Sequence, residues 1–94
     1  MKVRWTPRAI ALLENARNYI SQDNLHAAEQ QAMRIQNAAA RLQEFPWSGR
    51  KGRIAGTREL VIPRTPFLVL YRVDPEQITV LGVFHGARNW HQEY

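Results

Sequence analysis

The chain has 94 residues, of which 45% are hydrophobic and 22% are charged, and its formal net charge is +5. These values are typical of one globular domain with a modest core, and they exclude a disordered chain. The chain has no cysteine, which excludes disulfide bonds, thiolate metal ligands and a cysteine nucleophile.

The first half of the chain predicts a strand followed by two helices. Residues Lys2–Trp5 alternate polar and apolar side chains, as a short strand does. Thr6-Pro7 then supplies an N-cap and a proline at the first helical position, and apolar residues at helical spacing extend this helix to about Ser21. After a break rich in capping residues, a second helix is expected from about Leu25 to Gln43. Its narrow stripe of small apolar side chains favours an antiparallel helical hairpin.

The second half of the chain predicts strands. Phe45-Pro46 ends the second helix, and residues 46–53 form a loop with two glycines and three basic residues. The hydrophobic period then falls to two, with turn residues between the apolar runs. The strands are expected at Thr57–Ile62, Phe67–Val73 and Ile78–Phe84. The tail from His85 is polar and aromatic.

Taken together, these elements predict an α+β fold. An N-terminal strand and an antiparallel helical hairpin precede a three-stranded antiparallel meander, with the helices on one face of the sheet. We expect one domain over residues 1–94.

The positive charge of the chain comes mostly from arginine, which accounts for 11 of the 13 basic residues. Because the arginine fork suits phosphate and carboxylate groups, an anionic partner is expected, either nucleic acid or an acidic protein. No apolar run approaches the roughly 20 residues of a membrane span, and the N-terminus lacks a signal peptide. We therefore expect a soluble, cytoplasmic protein without a membrane partner.

Patterns typical of metal, cofactor or serine-nucleophile sites are absent from the sequence. His26, His85 and His91 are scattered, with no carboxylate at a chelating helical spacing. The glycine-rich run 49–52 leads into a strand and lacks the rest of a phosphate-binding loop. Neither Ser21 nor Ser48 lies in a nucleophile elbow. No metal ion and no cofactor are expected.

A basic cluster is the best candidate for chemistry. Neighbouring strands of a meander lie about 5 Å apart, so Arg72 could approach Arg58 across the sheet, with His85 and Arg88 just beyond the last strand. Such a group could bind phosphates and stabilise the charge of a phosphorane, with His85 as acid or base. This interpretation is a metal-independent ribonuclease.

A structural interpretation of the same residues stays open. Arg72 is then a solvated strand residue or the partner of Glu59, and His85 is a structural hydrogen-bonding group. With no carboxylate or tyrosine clearly placed beside His85, structural or binding roles are favoured over catalysis.

Aromatic and basic residues of the loop and tail are candidates for partner contact, because Trp and Arg are enriched as interface anchors. Trp5, Phe67, Tyr71 and Phe84 are expected in the core, since they lie in strands. The candidate partner-binding residues are Trp47, Arg50, Lys51, Arg53 and Trp90. The two tryptophans could equally cover the open end of the core.

A set of short motifs runs in order along nearly the whole chain. These motifs are Val3-Arg4-Trp5-Thr6-Pro7, Asp23-Asn24, Ala27-Ala28, Phe45-Pro46, Gly49-Arg50, Gly52-Arg53, Gly56–Val61, Leu70–Val73 and Val83–Trp90. The ordered set resembles the RelE/ParE superfamily, whose members are toxins of type II toxin–antitoxin systems.

The resemblance implies one of two targets. RelE-like members are ribosome-dependent mRNA endonucleases that use basic residues, whereas ParE-like members share the fold, lack that catalytic set and poison DNA gyrase. The nuclease branch typically carries an arginine early in the third strand, where this chain has Leu68. The resemblance therefore favours a non-enzymatic gyrase inhibitor. A ribosome-dependent mRNA endonuclease using Arg58, Arg72, His85 and Arg88 is the alternative, and a toxin-like binding module without toxicity is a third reading.

The resemblance also implies a cognate antitoxin. In both branches a disordered antitoxin segment folds onto the toxin, and an acidic or amphipathic segment would match the net charge of +5. The assembly expected is a homodimer or a toxin–antitoxin hetero-oligomer.

Overall fold

Two helices pack against one face of a five-stranded mixed sheet. The computed structural model describes all 94 residues apart from the side chain of Glu93. The elements in chain order are β1 (Lys2–Trp5), α1 (Pro7–Ser21), α2 (Leu25–Arg41), β2 (Arg50–Lys51), β3 (Arg58–Val61), β4 (Phe67–Val73), β5 (Gln77–His85) and α3 (Trp90–Glu93). None of the helices in this described part of the chain has the length and apolarity needed to cross a bilayer.

The helix starts follow from side-chain caps. The hydroxyl of Thr6 accepts a hydrogen bond from the amide of Ala9 at 3.1 Å, and the Asn24 side chain accepts one from Ala27 at 3.0 Å. Each cap satisfies a backbone donor that has no partner within the first turn. The predicted starts of both helices and the end of α1 at Ser21 are therefore confirmed, while α2 ends at Arg41, two residues before the predicted Gln43.

The strands run in the order β1-β5-β4-β3-β2. The predicted antiparallel meander is confirmed as β3-β4-β5, and the N-terminal strand joins it by parallel pairing of β1 with β5. Two short elements were not predicted: β2 lies inside the stretch expected to be a loop, and α3 lies inside the tail. Neither has a hydrophobic period, since β2 has two residues and α3 has four.

The sheet is apolar on both faces. On the helix side, Val69, Val80 and Val83 pack with Leu13 and Ile35 of the two helices. On the other side, Leu68, Leu70 and the ring of Trp90 form a separate cluster. Because one side of the sheet is covered by the hairpin and the other by the C-terminal segment, β4 is buried from Phe67 to Tyr71.

The hydroxyl of Tyr71 fixes the loop that follows α2. Tyr71 is fully buried, and its hydroxyl donates to the Pro46 carbonyl at 2.8 Å and accepts from the Gly49 amide at 2.9 Å. A side chain at position 49 would collide with the Tyr71 ring, because a Cβ there would lie 2.7 Å from it. The loop therefore runs directly over Tyr71.

Replacing Tyr71 by Phe tests this connection. Tyr71→Phe should lower the free energy of unfolding by about 1–3 kcal/mol, because the variant leaves the buried Gly49 amide and the partly buried Pro46 carbonyl without this partner. The measurement is urea denaturation followed by circular dichroism. Tyr19→Phe is the control, since Tyr19 is 62% exposed. Equal stability of the two variants would contradict this role of the Tyr71 hydroxyl.

Candidate functional site

The carboxylate of Glu59 organises the basic residues of the loop. Its side chain is 1% exposed, and Oε1 accepts hydrogen bonds from Arg50 Nη2 at 2.9 Å and Nε at 3.2 Å. Oε2 accepts from the backbone amide of Arg53 at 2.8 Å, and the Arg53 guanidinium lies 3.4 Å away. Two predicted partner-binding arginines are thus bound within the chain, although their guanidinium groups stay partly exposed.

Opposing effects set the pKa of Glu59. Burial alone raises it, but the Arg53 amide and the guanidinium groups of Arg53 and Arg50 lower it by a larger total, so the pKa lies below its ordinary value. Glu59 is therefore ionised near neutral pH.

Arg53 also connects this network to the C-terminal segment. Its guanidinium lies 5.0 Å from the centroid of the Trp90 ring, and its Nη1 lies 3.4 Å from His91 Nδ1. Trp90 is 5% exposed and stacks on Phe84 with ring centroids 4.5 Å apart. Contact of the Trp90 ring with a partner would require the C-terminal segment to move, whereas in this structure the ring covers the sheet.

Trp47, another predicted partner-binding residue, is 64% exposed. The Arg58 guanidinium lies 5.3 Å from the centroid of its ring, and Arg58 also donates to the carbonyls of Gly49 at 2.9 Å and Trp47 at 3.2 Å. The indole is thus held in place by Arg58 and by the loop fixed on Tyr71, so little conformational entropy would be lost on binding.

A shallow groove of about 330 Å³ lies beside the end of α2, next to the loop that carries Trp47. Phe45 and Val61 line it and are 53% and 54% exposed, and Ser48, the residue after Trp47, lines it as well. We call Phe45 and Trp47 the Trp47 surface. Arg41 lies 6.0 Å from the Phe45 ring centroid, and Lys51 is exposed on β2 opposite Arg58. This surface combines aromatic rings with cations.

Arg72 lies apart from these groups. The register of β3 and β4 pairs Arg58 with Tyr71, so Arg72 projects from the opposite face of the sheet. The predicted approach of Arg72 to Arg58 is therefore wrong. Of the two structural alternatives, pairing with Glu59 is wrong, and the exposed strand residue is confirmed. Arg72 instead donates to Asp74 at 2.7 Å, a contact that raises the pKa of Arg72 and lowers that of Asp74.

His85 and Arg88 line a larger groove, of about 590 Å³, between α1 and the end of β5. We call it the α1 groove. Its described lining residues are Arg8, Leu12, Asn15, Ala16, Tyr19, Phe67, Val83, Phe84, His85, Arg88, Asn89 and Trp90. The Ala87 amide donates to His85 Nδ1 at 3.3 Å, so a neutral His85 ring carries its proton on Nε2.

The four predicted nuclease residues therefore fall into three places. Arg58 supports Trp47, Arg72 pairs with Asp74, and His85 and Arg88 share the α1 groove. Among the described residues, no group of three or more His, Cys, Asp or Glu side chains could hold a metal ion.

Two features were missed by sequence reasoning. The role of Glu59 had a weak signal, since it is the acidic residue of a strand that follows an arginine-rich loop. No signal in the sequence indicated that Arg8, Asn15 and Tyr19 line the α1 groove, because α1 meets the end of β5 only in the folded chain.

The chain is similar in sequence to proteins described as toxins. The sequence model of one family, described as ParE toxin of type II toxin–antitoxin system, parDE, matches residues 3–90. The toxin candidate Y4kP of Sinorhizobium fredii is 40% identical over 97% of this chain and 94% of its own length. Toxin RelE2 of Caulobacter vibrioides is 38% identical over 93% of this chain and 97% of its own length.

Solved structures are similar in fold. A chain of the chromosomal ParDE TA system from P. aeruginosa superposes with a TM-score of 0.81 and 26% identity, over 90% of this chain and 95% of that chain. A chain of the toxin–antitoxin complex RelBE2 from Mycobacterium tuberculosis superposes with a TM-score of 0.55 and 27% identity, over 89% of this chain and 95% of that chain.

Replacing Glu59 by Gln tests the buried carboxylate. Glu59→Gln should lower the free energy of unfolding at neutral pH by about 2 kcal/mol, because charge-assisted hydrogen bonds to Arg50 and Arg53 are lost. Folding lowers the pKa of this carboxyl, so its charge stabilises the fold fully at pH values above its pKa in the unfolded chain. This stabilisation is lost as the pH falls through its pKa in the folded chain.

The difference in the free energy of unfolding between the parent chain and Glu59→Gln should therefore be constant near neutral pH and shrink as the pH falls below about 4.5. Denaturant titrations from pH 7 to pH 3 measure it. Asp74, whose pKa is also lowered, is present in both proteins, so its contribution to the pH dependence cancels in the difference. A difference that grows toward low pH would contradict this role of Glu59.

Proposed function

The chain belongs to the ParE toxin family of type II toxin–antitoxin systems, and on that premise we propose that it inhibits DNA gyrase by direct binding and is neutralised by a cognate antitoxin. In this proposal the protein acts in the cytoplasm, binds no cofactor and performs no catalysis of its own.

The separation of the predicted nuclease residues carries this proposal. RNA cleavage by acid–base chemistry requires its groups within hydrogen-bond reach of one reacting centre. Arg58 and Arg72 project from opposite faces of the sheet, and each is bound to other groups of the chain. Leu68 is 1% exposed in the cluster with Trp90, so the position where the nuclease branch carries arginine is filled by packed apolar side chains.

The Trp47 surface is the proposed contact with the target. Trp and Arg dominate the binding energy of many interfaces, above all where an aromatic ring is held rigidly. Trp47 is exposed and held by Arg58, and the exposed Lys51, which lies opposite Arg58 on β2, adds positive charge. An acidic region of a large protein fits this combination.

The antitoxin is the second proposed partner. The similar solved structures are described as a ParDE TA system and a toxin–antitoxin complex. With a net charge of +5, this chain suits an antitoxin segment that is acidic or amphipathic. The complex is a toxin–antitoxin hetero-oligomer in this proposal, with a homodimer as the alternative assembly for the free toxin.

A ribosome-dependent mRNA endonuclease is the second candidate function. It is favoured by the 38% identity with a protein named Toxin RelE2 and by the shared position of His85 and Arg88 in the α1 groove. The ribosome and mRNA are then the partners.

A supercoiling assay tests gyrase inhibition. The purified chain should block supercoiling by gyrase, with cleaved DNA complexes accumulating. Trp47→Ala should raise the half-inhibitory concentration roughly 30-fold, which corresponds to about 2 kcal/mol for an interface anchor. Leu25→Ala is the matched control, because Leu25 is 68% exposed at the start of α2. Unchanged supercoiling at a large molar excess of toxin would contradict the proposal.

Primer extension on translated mRNA tests the alternative. The gyrase proposal predicts no new cuts in the ribosomal A site, and it predicts that an Arg72→Ala, His85→Ala double variant still arrests growth. A-site cuts that disappear in this double variant would replace gyrase inhibition with mRNA cleavage.

A further inference from the structure

The α1 groove has the size and the lining of a small-ligand site. Its volume of about 590 Å³ lies within the range of about 300–1,000 Å³ that is common for ligand pockets. Leu12, Phe67, Val83 and Phe84 provide apolar surface, and the polar groups come from α1 on one side and from residues 85–89 on the other. An apolar surface with a few converging polar groups is the usual composition of a binding site.

Among the described residues, no acidic side chain balances the positive charge of the groove. Arg8 and Arg88 line it, and no Asp or Glu is among its described lining residues. The two guanidinium groups contact aromatic rings instead: Arg8 lies 4.6 Å from the Tyr94 ring centroid, and Arg88 lies 5.9 Å from that of Tyr19. Among the described residues, neither arginine has an ion-pair partner, unlike Arg50, Arg53 and Arg72. An anionic ligand would supply this missing charge.

The groove also offers flat rings and amide groups. Tyr19 lines the groove, is 62% exposed and lies beside Arg88, and Tyr94, which is 40% exposed, lies beside Arg8. Nucleic acid bases stack on exposed aromatic rings and on guanidinium planes. The side chains of Asn15 and Asn89 each carry donors and an acceptor, which match the polar edge of a base.

From these features we propose that the α1 groove binds a nucleotide. One phosphate lies at Arg88 and His85, with the base against Tyr19 and the apolar surface. Arg8 lies toward the other end of α1 and binds the neighbouring phosphate of a strand. An acidic peptide would use the cations but would leave the rings and amides without a matching group, so the observations favour the nucleotide. The nucleotide is either free or one unit of a single strand, and binding involves no covalent step. This site is separate from the Trp47 surface and does not depend on gyrase being the target.

Fluorescence anisotropy of the purified full chain with a labelled oligothymidylate of about eight nucleotides tests the proposal. The oligonucleotide should bind, and an abasic strand of equal length and charge should bind at least fivefold more weakly. Arg8→Ala and Arg88→Ala should each weaken binding about tenfold, because each removes a charge-assisted contact to phosphate. Tyr19→Leu should weaken binding about fivefold through loss of stacking.

Arg4→Ala is the matched control, because Arg4 is exposed on β1 and lies outside the α1 groove. It should change affinity less than twofold, and circular dichroism should give the same spectrum for every variant. NMR titration with thymidine monophosphate distinguishes the two sources of the nucleotide. Shifts at the groove indicate a site for free nucleotides, whereas shifts with the oligonucleotide alone indicate a site for a strand.

Three results would overturn the proposal. One is equal binding of the abasic and complete strands, and another is full affinity in both Arg8→Ala and Arg88→Ala. The third is binding of a glutamate-rich peptide of equal charge as tightly as the oligonucleotide. Because gyrase is absent from these measurements, their failure leaves gyrase inhibition unaffected, and failure of the supercoiling assay leaves nucleotide binding unaffected.

Discussion

The buried carboxylate of Glu59 joins three parts of the chain. It binds Arg50 of β2 and both the backbone and the side chain of Arg53, and Arg53 in turn covers Trp90 of α3. A charge this deeply buried is stable only when it is paired and hydrogen-bonded. The arginine-rich loop therefore folds onto the sheet, and the C-terminal segment closes over its apolar face.

Six arginines of the protein fall into two groups. Arg50, Arg53 and Arg72 pair with carboxylates of the same chain, and so they hold the structure together. Arg8, Arg58 and Arg88 contact aromatic rings, so positive charge remains available at two separate surfaces. These two surfaces are the ones to which the proposals assign an acidic protein partner and a nucleotide. The dispersion of its basic groups, and the packing of Leu68 against Trp90, fit poorly with one catalytic centre.

The sequence predicted the elements that have strong local signals. Thr6-Pro7 and Asn24 mark the helix starts through capping, and the change of hydrophobic period marks β3, β4 and β5. The short β2 and α3 were not predictable, because they are held by contacts between distant residues such as Arg53 and Trp90. Prediction of the candidate site from the sequence was limited in the same way. The exposure of Trp47 follows from its loop, but the face from which Arg72 projects depends on strand register, which composition does not reveal.

Hydrogen exchange of the Glu59→Gln variant is the most direct test of the central claim that one carboxylate holds the loop and the C-terminal segment together. The account predicts that residues 50–54 and 90–92 lose protection together, while α1 and the middle of β4 keep theirs, because only the former depend on the carboxylate. Loss of protection at residues 50–54 with an unchanged C-terminal segment would contradict it.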